Sequence, residues 1–338
     1  MFSMSRNSSA EHAADSSDGA AATAVAGVSA SEGPFPSLPS PAIYAAGLSK
    51  RFGETVAVKS LSLTVQRGEV FGFLGPNGAG KTTVVKLLLG LVRPSGGQVM
   101  VLGAPAGDRE MRKRIGYLPE LFRYQALLTA AEVLRLHCRL LRLARSSWEE
   151  QTRRSLETVG LLDRGDDRVG TFSKGMQQRL GLGVALLGDP MLVVLDEPTS
   201  ALDPVGRRDV RAIIGGLRER GATVFLNTHL LAEAEQVCDR VAVIDKGTAV
   251  ATGTLAELLG RQTRVRLKVG GLGESWWSRL GRFGRWHRQQ EWAVVDGIDA
   301  SQIADLVDEV VKLGGRVEAV IPEHQSLETR FLELLSDR

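Results

Sequence analysis

The chain has 338 residues, enough for one large domain and a smaller one, and its 43% apolar and 24% charged residues are typical of a soluble globular protein. Its formal net charge of +3 is too small to indicate nucleic-acid binding by itself. Its two cysteines, Cys138 and Cys238, lack metal-binding spacing, which favours buried thiols in a reducing compartment over a disulfide framework.

The first segment, residues 1–41, is predicted to be a disordered tail. It holds ten Ser, nine Ala and four Pro and has no sustained apolar period, so it buries too little surface to offset its ordering entropy. No part of the chain approaches the roughly 18 uncharged apolar residues that span a bilayer. The best candidate, residues 184–195, is interrupted by Gly188, Asp189 and Pro190.

Residues 42–258 have the pattern of an α/β domain. Short β-rich runs come first, at residues 43–46, 55–58, 61–65 and 69–74. Further strands, at residues 191–195, 223–226 and 241–244, then alternate with helical stretches. This alternation is the signature of a parallel sheet with crossover helices.

A helical insertion is predicted at about residues 121–170. Thr129 with Glu132, and Ser147 with Glu150, have the spacing of capping boxes, so each pair marks the start of a helix. Gly160 is expected to end the second helix.

The last segment, residues 259–338, is predicted to be a small α+β appendage. Strands are expected at residues 264–269, 292–295 and 316–321, and a last short helix near Ser326. A convincing helix precedes the third strand, because its apolar residues fall at i, i+3, i+4, i+7 and i+8: Ile303, Leu306, Val307, Val310 and Val311.

The sharpest motif is the run at residues 75–82, which fits G-x-x-x-x-G-K-[ST] between a predicted strand and a predicted helix. Its glycines let several backbone N–H groups face one centre, and the helix N-terminus adds partial positive charge. Lys81 can reach the β- and γ-phosphates of a nucleotide, and the Thr82 hydroxyl can hold Mg²⁺. The predicted nucleotide contacts are Gly75, Pro76, Asn77, Gly78, Ala79, Gly80, Lys81, Thr82 and Thr83.

A second motif is a run of four apolar residues that ends in Asp196 and Glu197. Such a run is typical of a buried parallel strand, and α/β sheets bind ligands at the carboxyl ends of their strands. Asp196 is placed to support Mg²⁺, and Glu197 is the candidate for polarising the attacking water. Together the two motifs indicate a P-loop ATPase or GTPase.

Residues 171–179 resemble the signature sequence of the ATP-binding cassette (ABC) family, with Ser173 and Gly175 at its two most telling positions. Lys174 and Met176 depart from the usual residues, and both departures resemble the exporter branch that includes many drug-resistance and lipid- or polysaccharide-exporting systems. The resemblance implies that this helix N-terminus faces the γ-phosphate of the nucleotide held by an opposing subunit.

The resemblance covers about residues 43–255 closely and implies an ABC-type nucleotide-binding domain of the P-loop NTPase fold, with a parallel-sheet core, an antiparallel β subdomain and a helical insertion. It implies further roles for four residues. Phe52 would stack on adenine, with a core aromatic residue as the open alternative. Glu120 would touch Mg²⁺ and sense the permease, and His229 would contact the γ-phosphate. Asp203 would belong to the loop that crosses the dimer interface.

The appendage also resembles the C-terminal domain that is common in this exporter branch, since it ends in Ser326-Leu327-Glu328-x-x-Phe331. Its stretch at residues 261–292 holds seven Arg and four Trp. This stretch either contacts lipid headgroups or the permease, or it places Arg over an apolar surface and Trp in a small core. The second reading is favoured.

The resemblance therefore predicts an ATP-hydrolysing subunit that binds ATP and Mg²⁺ and drives export through a separate polytopic permease. A homodimer at the cytoplasmic face of the cell membrane is expected, without nucleic acid as a partner. Two alternatives stay open at this point: a soluble ABC ATPase that acts on ribosomes or nucleic acid, and an importer ATPase.

Overall fold

The structure is a computed structural model that describes residues 40–200, 202–259, 262–273, 276–324 and 326–336. The tail predicted to be disordered lies outside these ranges, apart from Ser40 and Pro41. Among the described helices, none combines the length and the apolar character that crossing a membrane would require.

The described strands, in chain order, are β1 (Ile43–Phe52), β2 (Thr55–Val65), β3 (Val70–Leu74), β4 (Gly96–Val101), β5 (Ala104–Pro105), β6 (Ile115–Leu118), β7 (Leu192–Asp196), β8 (Thr223–Thr228), β9 (Arg240–Asp245), β10 (Thr248–Thr254), β11 (Gln262–Gly270), β12 (Arg285–Gln289), β13 (Trp292–Asp299) and β14 (Arg316–His324). The helices are α1 (Lys81–Leu88), α2 (Arg109–Arg112), α3 (Ala130–Leu140), α4 (Trp148–Thr158), α5 (Lys174–Ala185), α6 (Pro204–Glu219), α7 (Leu231–Val237), α8 (Leu255–Leu259), α9 (Ile303–Lys312) and α10 (Leu327–Ser336).

The larger of the two sheets has ten strands, in the order β5-β4-β1-β2-β10-β9-β3-β8-β7-β6. Strands β9, β3, β8, β7 and β6 run parallel to one another, whereas β10 pairs antiparallel with β9, and β1 pairs antiparallel with both β2 and β4. Every residue of β3, β7 and β8 is buried, because helices cover both faces of the sheet there. The predicted parallel core with an antiparallel β portion is therefore confirmed.

Successive residues of the central strands point into different apolar clusters, as the two-residue period of a strand requires. Val193 and Leu195 belong to the cluster under the helical insertion and α6, and Leu192 and Val194 to the cluster around α1. Both cysteines are buried and unpaired, as predicted, and burial raises the pKa of each thiol.

The two strands predicted at residues 55–58 and 61–65 form the single strand β2. Leu48 of β1 pairs with Leu61, but Lys50 pairs with Val58, so β2 holds one extra residue between these pairs. This arrangement is a β-bulge, which bends a strand without ending it. A bulge and a short turn look alike in sequence, which is why the prediction divided the strand.

The helical insertion contains α3 and α4. Thr129 and Glu132 form the predicted capping box at the start of α3. The capping box predicted at Ser147 is wrong: Ser147 has helical backbone angles, and its hydroxyl donates a 2.8 Å hydrogen bond to the Ala144 carbonyl. A 3₁₀ turn, Arg145–Ser147, already leads into α4, so Ser147 precedes α4 with helical backbone angles and its side chain makes no capping bond to it.

A second, antiparallel sheet has the order β12-β13-β11-β14. Helix α9, which was predicted from its periodicity, packs on it through Leu306 and Val310, which belong to a small apolar cluster. Trp276 and Trp286 are half-buried against the same cluster, and the Trp286 Nε1–H donates to the Leu280 carbonyl at 2.9 Å. For these two tryptophans the contacts agree with the favoured reading, in which Trp contributes to a small core.

Candidate active site

The loop at residues 75–80 connects β3 to α1. Gly80 has φ +100°, and a Cβ there would lie 2.4 Å from the Ala57 carbonyl oxygen, so only glycine fits. Gly80 is also the N-cap of α1 and offers no capping side chain. The first N–H groups of α1 therefore have no side-chain acceptor at the cap, and this helix end favours an anion.

Lys81, the first residue of α1, folds back over this loop. Its Nζ donates to the carbonyl oxygens of Gly75, at 2.7 Å, and Pro76, at 3.2 Å. Burial lowers the pKa of Lys81, although the nearby carboxylates of Glu197, Asp196 and Glu120 oppose this shift. A buried ammonium held by neutral carbonyls gains most from a charged partner such as phosphate.

Asp196 ends β7 and is buried beside Asn227 of β8, which donates from Nδ2 to Asp196 Oδ1 at 2.5 Å. Burial raises the pKa of Asp196, and the charges of Glu120 and Glu197 add to this shift, while the Asn227 hydrogen bond and Lys81 oppose it. Asn227 Oδ1 is buried without a hydrogen-bond partner. Asn227 was not among the predicted site residues, although its position at a strand end before His229 was a usable signal.

Glu197 and His229 form a hydrogen-bonded pair. Glu197 Oε1 lies 2.7 Å from His229 Nδ1 and accepts the His229 backbone N–H at 3.1 Å. Thr228 donates its hydroxyl to Glu197 Oε2 at 3.3 Å. Glu197 has φ +53°, a backbone conformation that non-glycine residues rarely adopt. The carboxylate is thus fixed at several points, and it favours the tautomer with the proton on Nδ1, which leaves Nε2 for a ligand.

These groups meet in a cleft of about 520 Å³ at the carboxyl edge of the parallel strands. This volume suits a nucleotide-sized ligand. Glu120 also lines the cleft, at the end of β6. The full lining is Thr55, Val56, Ala57, Asn77, Gly78, Gly80, Lys81, Thr82, Thr83, Glu120, Asp196, Glu197, Ser200, Asn227 and His229.

The donors in the cleft fit a divalent cation that also binds phosphate. Thr82, Asp196 and Glu120 offer a hydroxyl and two carboxylates, and Asn227 adds the unpartnered amide oxygen. Among the described residues, no three His, Cys, Asp or Glu side chains form a complete metal cage. Mg²⁺ needs no such cage, because it commonly takes one or two carboxylates and completes its shell with phosphate oxygens and water.

Seven of the predicted site residues do not line this cleft: Gly75, Pro76 and Ala79 of the loop, and Phe52, Ser173, Gly175 and Asp203 outside it. Phe52 is 47% exposed with the Lys50 ammonium 4.7 Å from its ring centroid, so it is not a core aromatic residue. Ser173 is exposed and caps α5 by accepting the Met176 N–H, and Gly175 follows in the first turn. Asp203 is exposed and caps α6 by accepting the Gly206 N–H at 2.8 Å.

A glycine loop that precedes an uncapped helix, with buried carboxylates at the ends of parallel strands, defines a P-loop nucleotide hydrolase. Residues 58–200 match the family described as ABC transporter. An uncharacterised ABC transporter ATP-binding protein of Synechocystis is 41% identical over 83% of this chain and 79% of its own. The chain therefore belongs to the family of ABC transporter ATP-binding proteins, which bind ATP and hydrolyse it to power transport.

Other relatives are similar over shorter ranges. The Nod factor export ATP-binding protein I of Rhizobium sp. (strain N33) is 42% identical over 63% of this chain and 71% of its own. The linearmycin resistance ATP-binding protein of Bacillus subtilis is 36% identical over 69% and 76%. A solved ATP-binding subunit of an ABC transporter superposes with a TM-score of 0.59 at 31% identity, covering 64% of this chain and 91% of that one.

Proposed function

We propose that this chain is the motor of an exporter: it binds ATP with Mg²⁺, acts as a homodimer, and drives a separate membrane permease from the cytoplasmic face of the cell membrane. The observation that carries the proposal is the joint placement of Lys81, Asp196, Glu197 and His229 in one cleft. A cleft with a phosphate-binding loop, a metal-binding carboxylate and a fixed general base has the parts that phosphoryl transfer to water requires.

In this proposal the loop holds the β- and γ-phosphates. Its backbone N–H groups and the uncapped end of α1 face the anion, and Lys81 exchanges its carbonyl partners for phosphate oxygens. Phe52 would lie near adenine, and its ring is exposed enough to stack on the base. Gly75, Pro76 and Ala79 would contribute through the shape of the loop, since they do not line the cleft themselves.

Hydrolysis would use the Glu197–His229 pair. Glu197 accepts a proton from the attacking water, while the Lys81 ammonium stabilises charge on the γ-phosphate. His229 would add to this stabilisation when its ring is protonated on both nitrogens, with Nδ1–H donating to Glu197 and Nε2–H donating to the phosphate. Thr82, Asp196 and Glu120 would hold Mg²⁺, which neutralises phosphate charge when it is bound. The hydrogen bonds from Thr228 and from the His229 backbone keep the carboxylate in place, so little reorganisation is needed during the reaction.

The residues outside the cleft support the proposed homodimer. Ser173 and Gly175 lie at the N-terminal end of α5, where a hydroxyl and N–H groups suit an anion, and the exposed Asp203 caps α6 in the loop that would cross the dimer interface. One chain carries both the cleft and this second surface, so two copies arranged head to tail would complete two sites. ATP would then hold the copies together, and hydrolysis would release them.

Export through a separate permease is supported by the relatives named for Nod factor export and linearmycin resistance. The helical insertion would transmit the closing motion to the permease. The experiment is a pull-down of the tagged chain from detergent-solubilised membranes. Recovery of a polytopic protein of about six spans supports the proposal, whereas recovery of ribosomal proteins or DNA would contradict it.

A further inference from the structure

Helix α7 begins two residues after His229, and little in its own sequence holds it in place. It spans only Leu231–Val237, and its N-cap residue, Leu230, provides no capping side chain. Helices this short are marginal by themselves, so packing must fix the direction of α7. Since His229 is joined to α7 through a single residue, the position of α7 constrains the position of the histidine.

One support for α7 comes from α6. Arg211 Nη1 lies 2.7 Å from Glu233 Oε2, and both side chains are largely shielded from solvent. A shielded pair of this kind is screened less by salt than an exposed pair. This contact fixes one side of α7 against the helix that follows the loop containing Asp203.

The other support comes from the C-terminal helix, 92 positions further along the chain. Glu235 Oε2 of α7 accepts the Leu327 backbone N–H at the start of α10, at 3.2 Å. Leu327 is only 1% exposed and belongs to the same apolar cluster as Ala234 of α7. Phe331, one turn further along α10, is also buried. The last helix therefore packs against the segment that carries His229.

The contact between Glu235 and Leu327 also stabilises α10 electrostatically. The Ser326 hydroxyl accepts the Thr329 N–H at 3.2 Å, so two of the first N–H groups of α10 have partners, one of them the Glu235 carboxylate. A negative charge beside a helix N-terminus is stabilising. Glu235 thus completes the cap of α10 and at the same time joins it to α7.

We propose that α10 is a positioning element for the hydrolysis site: it holds α7 against α6 and thereby keeps His229 in hydrogen-bonding distance of Glu197. This inference rests on the proposed catalytic role of His229. Without α10, ATP would still bind through the loop at residues 75–80, which α10 does not form. The turnover number would fall, because a small displacement of a catalytic group is costly.

The test compares two leucines of α10 in the full-length chain. We expect Leu327→Ala to lower single-turnover ATP hydrolysis about 10- to 100-fold, with the dissociation constant for ATP within about twofold of wild type. Leu332→Ala is the matched control, because Leu332 lies on the same helix and is 62% exposed. Glu235→Ala, which removes no core packing, should lower hydrolysis in the same direction, and Glu235→Gln should restore most of it.

A double-mutant cycle with His229→Ala tests whether Leu327→Ala lowers hydrolysis through His229. If α10 acts through His229, Leu327→Ala lowers hydrolysis no further in the His229→Ala protein, and hydrogen exchange at residues 229–237 becomes faster. An equal loss in both backgrounds would overturn the inference and leave the role of His229 intact. Wild-type hydrolysis by His229→Ala itself would instead refute the proposed role of His229 and, with it, this inference.

Discussion

The nucleotide cleft and the four-stranded sheet differ in where their charged side chains lie, which is buried in the cleft and at the surface in the sheet. In the cleft, Lys81, Asp196 and Glu197 are buried at the ends of parallel strands. In the four-stranded sheet the buried cluster is wholly apolar, and the charged groups form ion pairs at the surface, such as Arg264 with Asp296. Burial shifts the pKa of Lys81 and Asp196 because it penalises their charged forms.

The cleft therefore contains groups suited to a reaction, whereas the four-stranded sheet contains groups that stabilise the fold. Buried charges without full compensation are costly, and strongly perturbed groups gather where a ligand will supply the missing partner. Exposed ion pairs have little effect on stability, so the second sheet depends on its apolar cluster. Substitutions in the cleft should therefore change activity, and substitutions in the sheet should change stability.

The largest expected effect is in the cleft. We expect Lys81→Ala to lower ATP hydrolysis about 100- to 1,000-fold, because no other side chain replaces its charge on the transferred phosphate. The circular-dichroism spectrum should stay that of the folded protein. Lys86→Ala is the matched control, since Lys86 is exposed on the same helix. Hydrolysis at the wild-type rate by Lys81→Ala would remove this lysine from the mechanism.

The next effect lies in the second sheet. Leu267 is fully buried, and Leu267→Ala should lower the free energy of unfolding of the region that contains it by about 2–5 kcal/mol. Ile321→Ala, at a partly exposed position, should cost clearly less. Hydrolysis per folded molecule should stay near wild type, as measured at a temperature where both variants are folded. A large loss of hydrolysis at that temperature would mean that the second sheet also determines activity, which would contradict the distinction between the two regions.

A smaller effect should appear at high pH. Burial and the charges of Asp196 and Glu120 raise the pKa of Tyr117 from its ordinary value of 10.0 to about 12. The folded state therefore holds this proton more tightly than the unfolded chain, and the resulting stabilisation, present below pH 10, is lost as the pH rises through about 12. The difference in phenolate absorbance between wild type and Tyr117→Phe should have its midpoint near pH 12. A midpoint near 10 would contradict this account.

The smallest effect concerns the surface of the second sheet. Arg264 Nε lies 2.5 Å from Asp296 Oδ1, but both side chains are partly exposed. A double-mutant cycle with Arg264→Ala and Asp296→Ala should give a coupling free energy of about 0.2–1 kcal/mol, decreasing in high salt. A coupling above about 2 kcal/mol would mean that this sheet, like the cleft, depends on charge.

Features that depend only on residues close together along the chain could be predicted from the sequence. The glycine loop before α1, the capping box at Thr129 and the helix at Ile303–Lys312 each follow from a short pattern, and the structure contains all three. Strand β12 was missed, because most of its side chains are exposed and only Trp286 faces the core.

Features set by distant contacts were not predictable in this way. The hydrogen bond between Asn227 and Asp196 depends on the register of β7 and β8, in which these two residues are direct partners. The contact of Glu235 with Leu327 joins segments 92 positions apart. Such pairs form only when the sheet and the helices assemble, so a pattern within one short segment of the sequence does not predict them.

The most direct test of the central claim is Glu197→Gln. Since glutamine keeps the shape but cannot accept the proton of water, we expect ATP binding to persist, hydrolysis to fall about 100- to 10,000-fold, and ATP to hold the protein as a dimer in light scattering. Glu219→Gln, at an exposed position, is the control. Wild-type hydrolysis by Glu197→Gln would contradict the proposed base, and a monomer at saturating ATP would contradict the two-copy site.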